Sequence, residues 1–327
     1  MSHQTNHNSR MSNTIRYVAQ GTVASVLCML PGNVAQAHDA PLTYTVTELA
    51  YPHPEGGTYL ATEWHGINNR GTLVGFFGDE DGTPGLPAAV YRDGEFTGVS
   101  VPGSTYTTLN AVNDRETSVG FYFDEDFATH AFKAERDGTV TVLPDYPGGY
   151  ADNQATGINN RKSIVGYSAN PSADSVCHAW VYRNGEYQTY DKPGMPCTRL
   201  YSINDRNIAL GSYSGPGIPN RPFTIDLNAR VPVITDIVLP GVPGATSPSF
   251  SAFAKAINDK NQVVGFYFVD QISQNFILDL KRNEIELWGE LADPVTWNGI
   301  NNKGVLAGYS SSYQGYYATP SRKRRCR

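Results

Sequence analysis

Six side chains of very different chemistry occupy one place in a repeated pattern. His65, Asn110, Thr156, Tyr201, Lys255 and Asn298 each stand two residues before an Ile or Val that opens an Ile/Val-Asn-Asn/Asp triplet. Four residues before the same Ile or Val stand Glu63, Thr108, Gln154, Arg199, Phe253 and Thr296. On an extended strand, positions two apart share a face, so both sets are expected to point the same way. Together they offer an acid, a base, two cations, a phenol and several amides, the assortment a shaped polar pocket requires. Arg199 and Lys255 suit a carboxylate or sulfate, which Arg can grip in bidentate fashion. Glu63 or His65 has the chemistry of a general acid or base. The plainer alternative is drift at solvated positions that nothing constrains.

Other groups invite chemistry less specifically. Asp79, Glu80 and Asp81, and again Asp124, Glu125 and Asp126, form acidic loops. Ca²⁺ takes about six to eight oxygens, so Asp79, Asp81, Asp124 and Asp126 are its candidate ligands, although neither loop follows a recognised calcium motif. Paired carboxylates also fit glycoside hydrolysis, where their separation decides the outcome. His130 and His178 open equivalent segments and are expected to bond the backbone of a neighbouring repeat. No Gly-x-Ser-x-Gly elbow, phosphate loop or His-Glu-x-x-His appears. Cys177 and Cys197 are spaced to allow a disulfide in an oxidising compartment, with two free core thiols as the alternative.

The elements that would position these groups come from the repeat itself. Ile67-Asn68-Asn69 returns as Val112-Asn113-Asp114, Ile158-Asn159-Asn160, Ile203-Asn204-Asp205, Ile257-Asn258-Asp259 and Ile300-Asn301-Asn302, at spacings of 45, 46, 45, 54 and 43 residues. A few residues after each comes a second element: Val74-Gly75-Phe76, Val119-Gly120-Phe121, Val165-Gly166-Tyr167, Leu210-Gly211-Ser212, Val264-Gly265-Phe266 and Ala307-Gly308-Tyr309. In the third unit, 156–158, 163–167, 178–182 and 186–190 read as four strands, with Asn184-Gly185 as a hairpin turn. The repeated asparagines read as turn formers, residues that tolerate left-handed backbone and bond to nearby amides.

Four antiparallel strands every 40 to 50 residues are the layout of a propeller blade. The expected fold is therefore all-β, a six-bladed β-propeller of four-stranded antiparallel blades. Residues 44–51 resemble a fourth strand lacking its first three, and the last unit ends after three (297–300, 305–309 and 315–319). The N-terminal strand is expected to complete that blade and close the ring, which leaves no exposed sheet edge.

Composition agrees. The 327 residues include 32 Gly, 21 Pro and 20 Tyr, with 17% charged, which suits short strands joined by tight turns. Residues 1–37 read as an export signal: Arg10 and Arg16, an apolar stretch at 23–30, then Ala35-Gln36-Ala37. That stretch is too short to span a bilayer. Met11 is a second possible start. The propeller is assigned to 38–321 and a basic tail to 322–327. Setting aside +2 on the leader and +5 on the tail, the net −6 becomes −13 on the body. Such a body repels nucleic acid and anionic membranes.

At this point the chain resembles a family. Thr129-His130-Ala131-Phe132 and Cys177-His178-Ala179-Trp180 open third strands, and fourth strands run toward Pro102-Gly103, Pro147-Gly148 and Pro193-Gly194. With the Asn turn and the Val-Gly-aromatic strand, this is similar to the bacterial extracellular repeat proteins named for the His-Ala-Phe (HAF) motif, over roughly residues 60–310. Pro87-Ala88-Ala89-Val90, Arg221-Pro222-Phe223 and Gln274-Asn275-Phe276 depart from it by lacking the histidine. The resemblance implies export and a repeated β fold, and no reaction. The expected protein is a secreted or periplasmic monomer with no transmembrane segment. It binds a small molecule, glycan or protein through one mouth of its channel, with Ca²⁺ as the sole candidate cofactor. The competing class is a propeller enzyme: a metal-assisted hydrolase, lactonase or lyase.

Overall fold

The computed structural model describes residues 16–17, 43–78, 86–148, 150–170, 176–247, 249–269, 272–288 and 295–321. Most of the leader, the tail 322–327 and the loop holding Asp79, Glu80 and Asp81 lie outside these. All regular structure among the described residues is β. The third unit forms strands Asp152–Ile158, Ile164–Ala169, Cys177–Arg183 and Glu186–Thr189, close to expectation.

Units one and five are separate four-stranded sheets. Units two, three and four merge into one twelve-stranded sheet. Only single parallel pairs, Thr129 with Asp152 and Cys177 with Cys197, join their outer and inner strands. In the last unit, Val295–Ile300, Leu306–Ser310 and Gly315–Ser321 are extended by Thr43–Glu48 from the N-terminal side, in register from Thr43 with Ser321 to Glu48 with Tyr316. Arg16–Tyr17 pairs outside that strand.

Two features of the repeat explain each other. Every first strand is bulged at one place, between Trp64 and Gly66 in unit one and between Leu109 and Ala111, Ala155 and Gly157, Leu200 and Ser202, Ala254 and Ala256, and Trp297 and Gly299 in the others. The bulged residue is always the variable one: His65, Asn110, Thr156, Tyr201, Lys255 or Asn298. The Gly of each Val-Gly-aromatic element lies against this strand. A Cβ there would sit 1.8–2.2 Å from the carbonyl oxygen of the residue two before the bulged one, Glu63 O at Gly75 and Arg199 O at Gly211 among them. The bulge thus demands glycine in all six units.

The turns correct one expectation. The repeated Asn is not left-handed; that conformation falls three residues later, at Gly71, Glu116, Lys162, Asn207, Asn261 and Gly304. The Asn is required for its whole amide. Asn159 Oδ1 accepts the N–H groups of Arg161 and Ser163, while Nδ2 donates to the Asn204 carbonyl. The same donation runs from Asn68 to Asn113, Asn113 to Asn159, Asn204 to Asn258, Asn258 to Asn301, and Asn301 back to Asn68 across 233 residues, all at 3.0–3.1 Å. A second cycle lies beside it. Each N–H at the next position is accepted by the side chain of its counterpart in the next unit, Asn69 to Asp114 and finally Asn302 to Asn69, at 2.7–2.8 Å.

Apolar side chains between neighbouring units complete the core. Residues facing the repeated Gly from either side trade size between units one and three. Trp64 faces Ala89 across Gly75 in unit one, whereas Ala155 faces Trp180 across Gly166 in unit three; all four are fully buried.

Candidate functional site

The bulge makes its residue project toward the middle. His65, Asn110, Thr156, Tyr201, Lys255 and Asn298 all line one cavity of about 100 Å³, whose lower part is formed by the turn residues 66–69 and their counterparts. Glu63, Gln154 and Arg199 do not line it, so the two sets expected on one face occupy two levels. The upper set pairs across the sheet with the residue after the Gly of the second element, an aromatic in five units (Glu63 with Phe76, Gln154 with Tyr167, Phe253 with Phe266 among them) and Ser212 opposite Arg199.

Several members of the lower set already have partners. Asn110 Nδ2 donates to the Ala155 carbonyl at 2.8 Å, and Thr156 Oγ1 to the Leu200 carbonyl at 2.7 Å, each in the next unit. In the upper set, Gln154 likewise accepts from the Tyr167 hydroxyl and donates to Asp152. Tyr201 meets Ser212 through its hydroxyl at 3.1 Å. These bonds hold the strands side by side, a structural use that variable residues were not expected to have.

Two clusters remain with chemistry to spare. In unit one, Glu63 Oε2 lies 3.2 Å from His65 Nε2, and His65 Nδ1 lies 3.4 Å from Thr108 Oγ1. The tyrosines around Glu63 stay protonated. Burial and then the Glu63 charge push the Tyr309 hydroxyl up to about 12 and raise Tyr106 as well. In units four and five lie the two cations. The Arg199 guanidinium stands 4.9 Å over the Tyr167 ring and Lys255 Nζ 5.7 Å over Phe266. Neither has a hydrogen bond or ion pair to any described residue, and Arg199 Nε is buried without an acceptor. Burial holds the Lys255 ammonium below its ordinary range. Stacking on a ring recovers part of the lost hydration of these half-buried cations, but the buried Arg199 Nε without an acceptor remains costly.

The far end of the cavity carries carboxylates. Asp114, Asp205 and Asp259 share the second cycle with the amides of Asn69, Asn160 and Asn302. Burial works to raise Asp114, but the Asn69 and Asn160 amides, the Asn69 N–H and the charge of Arg70 together hold it below the usual carboxylate range.

The acidic loop of unit two is used internally. Asp124 Oδ1 accepts the N–H groups of Asp126 and Ala128, and Oδ2 holds His130 at 2.8 Å. Asp79 and Asp81 lie outside the described residues. Among the described residues no group of three His, Cys, Asp or Glu side chains is placed to hold a metal ion. His130 and His178 correct another expectation, since carboxylates rather than a neighbour's backbone engage them. His178 lies 2.6 Å from Asp191 and 3.0 Å from the Tyr150 hydroxyl. His130 lies between Asp124 and, at 3.6 Å, Asp145. A sequence signal existed: units two and three are the ones that carry both the histidine and an Asp shortly before Pro-Gly. Cys177 and Cys197 form a disulfide between units three and four. Among the described residues no helix is long and apolar enough to cross a membrane.

No family model matches the chain, and no curated protein matches it. Solved structures do. The β-propeller domain of the trilobed protease from Pyrococcus furiosus, 11% identical, superposes with a TM-score of 0.50 over 86% of this chain and 93% of its own. A luciferin-regenerating enzyme, 11% identical, gives 0.52 over 85% and 95%. TolB from Acinetobacter baumannii, 9% identical, gives 0.51 over 77% and 64%. Likeness at such identities speaks to fold alone: this all-β chain shares the β-propeller architecture.

Proposed function

We propose that the chain is an exported six-bladed β-propeller whose upper mouth binds a small anion, or the anionic group of a larger ligand, between Arg199 and Lys255. The observation that carries this is two cations in adjacent units, stacked on rings and lacking any anion among the described residues. A protein that maintains such a pair at the rim of a cavity keeps a place for negative charge. A closed ring of six is supported by the two hydrogen-bond cycles that return to Asn68 and Asn69 and by the pairing of Thr43–Glu48 with Gly315–Ser321. Export is supported by the charged, apolar and small-residue segments of 1–37 and by the disulfide. The HAF resemblance agrees with both.

The test is calorimetric titration of the mature chain with galacturonate, glucuronate and sulfate. Arg199→Ala should weaken the bound anion by about 30-fold, equivalent to roughly 2 kcal/mol. Asn159→Ala, at the other end of the strands, should lower stability and leave affinity intact. Equal affinity in wild type and Arg199→Ala would reject the site.

A second reading rests on the Glu63–His65–Thr108 contacts, in which a carboxylate orients an imidazole toward a hydroxyl. In a ring of six, units one and four face each other, so this group lies across the axis from Arg199. Turnover of lactone or glycan substrates that disappears in His65→Gln would make the mouth an active site.

A further inference from the structure

The rim above this site carries aromatic rings in an unusual setting. Tyr313 stands at the tip of a turn, 56% exposed, with φ of +61°. A left-handed position is cheap for Gly or Asn and strained for a bulky side chain. The turn does not need the ring: Ser310 O accepts the Tyr313 N–H, and Ser310 Oγ accepts that of Gln314. Phe127 repeats the arrangement in unit two, at +61° and 77% exposed. Strain spent to display an exposed apolar ring points to a ligand rather than to the fold.

From Tyr313 the rings step downward. Its ring lies parallel to that of Tyr309, at 6.5 Å and 9°, and Tyr309 lies 6.2 Å from His65 in the cavity. Unit five repeats the descent. Phe268, 49% exposed, stands edge-on to Phe266 at 5.6 Å; Phe266 stacks on Phe253 at 5.0 Å and 15°; Lys255 lies against Phe266. Two descents, one within unit five and one from unit six onto His65 of unit one, therefore each offer an exposed ring, an inner ring and then a charged or basic group.

We infer that the ligand is an acidic oligosaccharide of uronate residues, laid over units five and six with sugar faces on Tyr313 and Phe268 and one carboxylate between Lys255 and Arg199. This rests on the anion reading above and names its ligand class. A sugar ring presents an apolar C–H face to an aromatic ring and hydroxyls at its edge, which matches rings interleaved with His65, Glu63 and protonated phenols. Lipid would leave those polar groups unsatisfied. The −13 body disfavours nucleic acid, which carries dense negative charge, whereas one carboxylate needs only the local cations.

The probes are galacturonate monomer, a galacturonate tetramer and a neutral glucose tetramer, titrated into the full mature chain. The acidic tetramer should bind at least tenfold more tightly than the monomer, and the neutral tetramer should not bind measurably. Tyr313→Gly and Phe268→Ala should bring tetramer affinity down to the monomer's and leave the monomer unchanged. Tyr313→Gly should also melt higher than wild type, because it relieves the left-handed strain, which a purely structural tyrosine would not do. Equal affinity for tetramer and monomer, or silent rim variants beside a damaging Arg199→Ala, overturns the saccharide assignment and leaves the anion site standing. If neither monomer, tetramer nor sulfate binds, or Arg199→Ala is silent, the anion reading itself has failed. Capture of a protein partner through Tyr313 without saccharide binding overturns this inference as well.

Discussion

The two ends of the same six strands follow opposite rules. At the turn end the residues are nearly identical in every unit, and each donor has an acceptor in the next unit. At the other end the residues differ from unit to unit, and two cations and several rings are left without polar partners. On the function proposed above, the contrast divides the fold at one end from recognition at the other. It also shows how a repeat protein can vary a site freely: the hydrogen bonds that align neighbouring units are concentrated where nothing varies. The upper end has few such ties, and there the Cys177–Cys197 disulfide and the contact of Thr129 with Asp152 take their place.

The largest expected effect comes from breaking that covalent tie. The disulfide closes a span of 20 residues, so Cys177→Ser with Cys197→Ser should cost about 3 kcal/mol and lower the melting temperature by several degrees. If chemical denaturation shows no loss, units three and four are held by noncovalent contacts alone. Next comes the turn end. Asn159→Asp removes two donations, to the Asn204 carbonyl and to Asn207, and places a carboxylate against their oxygens. A cost of about 2 kcal/mol with unchanged ligand affinity is expected; lost affinity with unchanged stability would invert the division between the ends.

The smallest effect has the opposite sign. Lys255→Met keeps the side-chain length and removes a half-buried charge without a protein partner, and should stabilise the ligand-free chain by about 1 kcal/mol at most. Burial lowers the Lys255 titration point, so the unfolded chain binds the extra proton more readily. The penalty is complete below the lowered value and fades as pH rises toward the ordinary lysine range. The advantage of Lys255→Met should therefore shrink on alkaline titration. An advantage that is flat with pH, or absent, would mean that the ammonium is already satisfied.

Much of this was legible before any coordinates. Six Asn-led turns and six Val-Gly elements, in register, established strands, turns and unit length, because turn chemistry is local and leaves a local trace. The residues facing the cavity were also found, although by an argument about alternation that the bulge makes inexact. A bulge is a fact about pairing, and its trace in one strand is a glycine in the next, visible only once the two are seen together. Asp145 and Asp191 escaped notice as partners of the histidines because 15 and 13 residues separate each pair. The aromatic steps were visible as the residue after each Val-Gly, but which face they covered depended on register. Tyr313 carried no signal, since a tyrosine in a serine-rich turn gives no hint of its backbone conformation.

The exchange of Trp64 and Ala89 for Ala155 and Trp180 has a consequence for assembly. Six units built on one plan risk docking in the wrong order, a hazard typical of tandem arrays as they fold. Here units one and three present opposite bulk at the equivalent contact, so either one set in the other's place meets a void or a collision. The places of those two units in the chain are thereby guarded by side-chain size, as an address that the other cannot read.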